Sequence, residues 1–198
     1  MDSFGGLSDA SEVEVELITD AYRVSGVVQT RFGRVTDIVN QLLGQHLAVE
    51  HATISEHADP SATLAAPSAL VDVSSILLLT APGLTGEASS EMRIPKRAVK
   101  ALIALPPIRI TGTIHVPMGS RPLDGLLNVT DRFLAMTDVA ITSGPYPELG
   151  RSVDAAAICR ARAQLLLVAD DERPDELLAD VLDEKTAEAW LRSDNASR

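Results

Sequence analysis

The chain has 198 residues, 45% of them hydrophobic and 23% charged, the proportions of ordinary globular protein and enough for one domain or two very small ones. Seventeen basic residues against 28 acidic ones leave a net charge of −11, so phosphate backbones and anionic bilayers repel the chain unless a local basic patch reverses the field. Aromatic residues make up only 3%, too few for the stacking platforms of single-strand binders, and nucleic acid is a poor fit.

The charge sits at the ends. Residues 1–20 form an acidic N-terminal segment with six acids and no base, and residues 170–198 hold ten acids and four bases, leaving the middle close to neutral. Met1 to Asp20 has neither the basic nor the apolar region of a secretory signal, and unbroken apolar runs such as Ile76 to Leu79 fall far short of a membrane helix. A single cysteine, Cys159, rules out an internal disulfide. A reducing, cytoplasmic compartment is expected, with Cys159 a small buried hydrophobe in an apolar stretch.

A first β unit is expected over 21–80. Tyr22 to Thr30 is rich in β-branched residues around Gly26, the pattern of a strand that bends or bulges there. Thr36 is placed to cap a short helix over Ile38 to Leu43, Leu47 to Ile54 reads as a second strand, and Val71 to Leu79 as a late one. The connecting segment 81–107 opens on the loop-like Ala81-Pro82-Gly83-Leu84-Thr85-Gly86 and closes on Pro106-Pro107. Between them, Ala98 to Leu105 reads as extended or short-helical. A second unit is expected over 108–169: a strand at Ile108 to Val116 centred on Gly112, Asp124 capping a turn of helix at Gly125 to Val129, and strands at Phe133 to Ile141 and Ala163 to Val168. Asp170-Asp171-Glu172-Arg173-Pro174 then starts an amphipathic helix over 170–193, ahead of a tail at 194–198. Leu178, Val181, Leu182 and Trp190 lie on its apolar stripe, which either packs on the chain's own β units or forms a candidate protein interface anchored by Trp190.

The two units repeat one pattern at an offset of 86 to 88 residues. Arg23-Val24-Ser25-Gly26-Val27-Val28 answers to Arg109-Ile110-Thr111-Gly112-Thr113-Ile114, the turn Arg34 to Asn40 to Arg121 to Asn128 with one extra residue, His46 to Ile54 to Phe133 to Ile141, and Ile76 to Leu79 to Gln164 to Leu167. The expected fold is mainly β (α+β): two pseudo-symmetric small β-barrels or bent sheets, each with a short helix, plus the C-terminal helix.

The turn at Arg34, Thr36, Asp37 and Asn40, followed by a His-Leu-Ala strand, resembles an uncharacterised bacterial domain family whose pattern is an Arg-x-Ser-Asp-x-Leu-Asn turn before a Phe-Leu-x-Leu strand. Arg121, Asp124, Leu127 and Asn128 match it with an insertion and no serine. The resemblance implies a tandem covering about two thirds of the chain and supplies no activity. A looser likeness to Sm-like small barrels implies oligomeric rings and often RNA; the acid excess speaks against carrying the RNA over.

No catalytic constellation is present in the sequence. Gly-x-Ser-x-Gly is missing, Gly83-Leu84-Thr85-Gly86 lacks the Lys-Ser/Thr of a phosphate loop, and His46 and His51 point to opposite faces of a strand, so they and His57 read as surface or edge histidines and no metal or cofactor is expected. The candidate ligand residues are Arg34, Asp37, Asn40, Arg121, Asp124 and Asn128, which line equivalent loops able to grip a small anion; turn chemistry explains the same residues as helix caps, with the asparagines ending the helices in a left-handed conformation. The expected function is a non-enzymatic protein-interaction or assembly module of the bacterial cytoplasm, partnered by protein or by itself as a homo-oligomer. The alternative is a small-anion or nucleotide sensor using the arginine turns.

Overall fold

From Ser11 to Ile18, Val13, Val15 and Leu17 alternate with Glu12, Glu14 and Glu16, the two-residue period of a strand with one buried face. In the computed structural model, which describes residues 10–84, 96–118, 121–127 and 130–168, this segment is strand β1 (Ser11–Ile18). Among the described residues nine more strands follow: β2 (Tyr22–Thr30), β3 (His46–Glu56), β4 (Thr63–Asp72), β5 (Leu78–Thr80), β6 (Lys96–Leu105), β7 (Ile108–Pro117), β8 (Phe133–Thr142), β9 (Arg151–Cys159) and β10 (Leu165–Val168). Helix α1 (Val35–Asn40) joins β2 to β3, and α2 (Pro122–Leu127) joins β7 to β8. Single turns of 3-10 helix at Val73–Ser75 and Arg160–Arg162 precede β5 and β10.

The protein is mainly β, as expected, and the strands form one antiparallel sheet in the order β10-β6-β7-β8-β9-β5-β1-β2-β3-β4. The small closed barrel, one of the two expected forms, is not built. Closure within the first half would require β5 to meet β4, but β5 pairs instead with β9, Leu78 opposite Ile158 and Leu79 opposite Ala157. The sheet therefore runs on through this junction and ends on β4 and β10. The late strand expected at Val71 to Leu79 is interrupted, because the Asp72 carboxylate accepts the Ser74 N–H at 2.8 Å and turns the chain before β5. The ambiguous stretch before Pro106 is the long strand β6, in full register with β7. Residues 1–9, the C-terminal helix over 170–193 and the tail lie outside the described residues.

The glycine bends lie where the sequence puts them. The β2–β3 register slips between Ser25 and Val27, and the β7–β8 register between Thr111 and Thr113. Opposite each slip a non-glycine residue takes a left-handed conformation, His51 at φ 50° and Asp138 at φ 51°. A Cβ on Gly26 would lie 2.5 Å from the Glu50 carbonyl oxygen, and one on Gly112 would lie 2.8 Å from that of Thr137, so only glycine admits the approach.

Two apolar clusters flank the junction. One gathers Val13, Val15, Leu17, Val24, Val28 and Val49 with α1 residues Val35, Ile38 and Val39. The other gathers Ile103, Leu105, Ile108, Ile110, Ile114 and Ile141. Strands β5 and β9 serve both by alternation: Leu79, Ala157 and Cys159 enter the first cluster, Leu78, Ala156 and Ile158 the second. This is why the junction strands read as unbroken apolar runs. Cys159 is buried and unpaired, as expected.

Candidate functional site

Helix α1 starts at Val35, with Arg34 at the position before it and no side chain capping the end. Thr36, expected as the cap, is buried inside the first turn, and Asp124 likewise lies within α2. Packing sets the start: Val35, Ile38 and Val39 share one face, which seats on β8 and β9. The asparagine expected to end this helix in a left-handed conformation does other work. Asn40 is helical, its side-chain N–H donates to the Phe133 carbonyl at 2.9 Å, and its Oδ1 accepts the Phe133 N–H at 2.8 Å. A six-residue helix of the first half is thereby bolted to the first residue of β8, 93 positions away. Arg34 is exposed and Asp37 half-buried, while Asp124 and Arg121 are exposed beside α2. Asn128 lies outside the described residues, as do Leu178, Val181, Leu182 and Trp190.

An ionic cluster missing from the sequence reading sits across the junction. Glu16 on β1 takes Arg23 of β2 at 2.5 Å through one oxygen and Arg151 of β9 through the other. Burial pushes the Arg151 guanidinium below its ordinary value; Glu16 pulls it back up, and Arg23 opposes it. The alternation of glutamates along β1 was the available signal, but the partner on β9 is 135 residues away in the sequence and only the sheet order brings it near. Arg162 adds a second link at the surface, with 2.7 and 2.8 Å contacts to the two Asp20 carboxylate oxygens.

Beside Arg23 lies a cleft of about 280 Å³ lined by Ser25, Ser55, Glu56, His57, Thr63 and Glu148 among others, none of them from the arginine turns. Its charges are mixed, with Arg23 sharing the lining with Glu56 and Glu148. His57, expected at the surface or an edge, is buried: its Nε2 lies 3.0 Å from the Thr19 carbonyl, and its ring rests on Tyr146 with centroids 5.3 Å apart. The turn between β1 and β2 folds over the end of β3 and covers it, the Ala21 carbonyl accepting the His57 N–H. His46 and His51 are exposed. Among the described residues no three His, Cys, Asp or Glu side chains gather as a metal site, and no helix is long and apolar enough to cross a membrane.

The remaining candidate surface is the two ends of the sheet, β4 and β10, each of which pairs with a single strand among the described residues. On β4, Leu64 and Leu70 are 70% and 73% exposed. On β10, Leu165 is 41% exposed, and Leu166, Leu167 and Val168 are partly so. An apolar strand edge with open N–H and C=O groups is a template for another strand. No family model, curated protein or solved structure matches the chain.

Proposed function

We propose that the protein is a non-enzymatic interaction and assembly module, built from two copies of one five-strand β unit and associating with itself. The observation that supports this reading is the agreement of the two halves in register. The order β5-β1-β2-β3-β4 answers to β10-β6-β7-β8-β9. Individual pairs correspond throughout: Leu17↔Val24 to Ile103↔Ile110, Val27↔Glu50 to Thr113↔Thr137, and His46↔Asp72 to Phe133↔Cys159. The connecting hydrogen bonds correspond too, Leu77 N–H to the Ile18 carbonyl at 2.8 Å and Gln164 N–H to that of Ala104 at 2.9 Å. These bonds pair Leu78 with Leu165, one residue away from the sequence pairing of Leu77 with Leu165.

A unit of this kind does not close on itself; within the chain it completes its sheet with a neighbour, and a duplicated unit carries that need to its outer edges. Two small units that share an interface also bury more surface than either alone. Assembly through exposed strands requires no catalytic group. The test is light scattering on a sizing column with the full chain over a wide concentration range. Discrete multiples of the 21.0 kDa chain are expected; a monomer at every concentration refutes self-association.

A further inference from the structure

The chain contains a worked example of how its own units join, and among the described residues the sheet ends on the two halves of that joint left open. At the junction, β5 and β9 pair with Leu78 opposite Ile158 and Leu79 opposite Ala157, and the Cys159 N–H donates to the Leu77 carbonyl at 2.9 Å. The strand corresponding to β5 is β10, and the strand corresponding to β9 is β4, the two ends of the sheet. We propose that β10 of one copy pairs antiparallel with β4 of a second copy in the register of the internal junction, linking copies head to tail. This rests on the self-association reading above and names the surface and the register through which it occurs.

The register follows from the correspondence. Leu165 of one copy stands opposite Val71 of the next and Leu166 opposite Leu70, with the Asp72 N–H donating to the Gln164 carbonyl. Burial shows what the partner would cover. Ala156, Ala157, Ile158 and Cys159 at the paired end of β9 are at most 2% exposed, whereas at the corresponding end of β4 Leu70 is 73% exposed. Strand β5 is wholly buried, and β10 is not. The helices repeat the contrast. Helix α1 seats on β8 and β9 across the junction, whereas α2 packs on β7 of its own half and leaves Leu123 exposed, with Met118 exposed just before it. A second copy placed as the junction prescribes brings its β3 and β4 toward α2. Five exposed apolar side chains, Leu64, Leu70, Met118, Leu123 and Leu165, thus fall on the two faces that one head-to-tail contact would join.

Pro67 stands opposite His51 between the pairs Glu50↔Ser68 and Ala52↔Ala66, so its missing N–H falls on the β3 side, and the outer edge keeps the N–H and C=O groups of Asp72, Leu70 and Ser68. A contact between unlike faces generates a ring if the rotation closes and a filament if it does not.

Two variants of the full chain test this, Leu70→Glu and Leu165→Glu, each placing a charge at an exposed edge position. Native mass spectrometry is expected to find the unaltered chain assembled and each variant alone monomeric. An equimolar mixture of the two is expected to form a heterodimer, because one variant keeps an intact β10 and the other an intact β4. Variants that stay assembled, or a mixture that stays monomeric while circular dichroism shows both folded, overturn the head-to-tail edge. In the first case self-association itself survives through another surface; an unaltered chain that is monomeric throughout removes both readings. Register is tested separately. Leu70→Cys with Leu166→Cys is expected to give disulfide-linked multimers on a non-reducing gel, with buried Cys159 left in place. Equal cross-linking by Leu70→Cys with Val168→Cys overturns the register.

Discussion

Replacing Asn40 by alanine separates a structural role for this residue from a ligand-binding one. The side chain makes two hydrogen bonds to the backbone of Phe133, at 2.8 and 2.9 Å, in a part-buried setting where Phe133 itself is 1% exposed. Each such bond contributes about 1 kcal/mol net, and the bare N–H and C=O of Phe133 cost somewhat more where water reaches them poorly, so Asn40→Ala is expected to destabilise the fold by about 2–3 kcal/mol. For a chain of this size that corresponds to a fall in Tm of roughly 4–12 °C. Asn40→Asp keeps the acceptor for the Phe133 N–H, loses the donor and sets a carboxylate against the Phe133 carbonyl, so it is expected to cost at least as much as alanine at neutral pH. Urea unfolding followed by circular dichroism measures both, with the slope m checked for constancy. A loss below about 0.5 kcal/mol for Asn40→Ala would mean that the bridge contributes nothing net, and the attachment of α1 to β8 would then rest on Val35, Ile38 and Val39 alone.

Three other outcomes follow from the geometry. Gly26→Ala and Gly112→Ala force a Cβ against backbone oxygens at 2.5 and 2.8 Å; a loss of about 3 kcal/mol or more is expected for each, read from unfolding midpoints, and a near-neutral alanine at either place contradicts the close approach. Glu16→Gln leaves Arg23 and Arg151 facing each other without their shared carboxylate. Because these side chains retain 40% and 21% exposure, the expected cost is about 1–2 kcal/mol, below that of a fully buried pair, and a further Arg23→Met change should recover part of it in a double-mutant cycle. The Asp72 carboxyl is held below its ordinary value, first by the Ser74 N–H and then by the Ser74 side chain. A lowered folded value stabilises above the unfolded one and is lost as pH falls through the folded value, so the gap between wild type and Asp72→Ala in pH-dependent unfolding is expected at neutral pH and should shrink below about pH 4. A gap that widens in acid contradicts it.

Strands carried by local pattern were legible from the residues. Tyr22–Thr30 has the expected bounds, and Ile108–Pro117 and Phe133–Thr142 extend one residue beyond theirs, because β-branched residues around a glycine, or apolar alternation, state a strand without help from elsewhere. Strand β1 is equally legible in its Val/Glu alternation, although a count of its acids describes no more than an acidic N-terminal segment; a glutamate on a half-buried strand needs only an exposed face or a cation, and Glu16 has Arg23 and Arg151. Helix starts were not legible. A capping residue contributes about 1 kcal/mol, and the apolar face of α1 outweighs it by packing on strands nearly a hundred residues away. Of the candidate turn residues, Asn40 was expected to grip an anion or to end its helix in a left-handed conformation; its bridge to the Phe133 backbone follows only from the fold.

By itself the sequence determined a mainly β chain with a bend at each central glycine, because period, β-branching and glycine act within a few residues. Whether each half closed into a barrel or opened into a shared sheet was decided by tertiary structure alone. Both outcomes use the same alternation and the same turns, and they differ only in which strand β5 meets. Its partner is β9, whose Ala157 and Ile158 complete two cores at once, and that choice leaves β4 and β10 as the end strands of the sheet among the described residues.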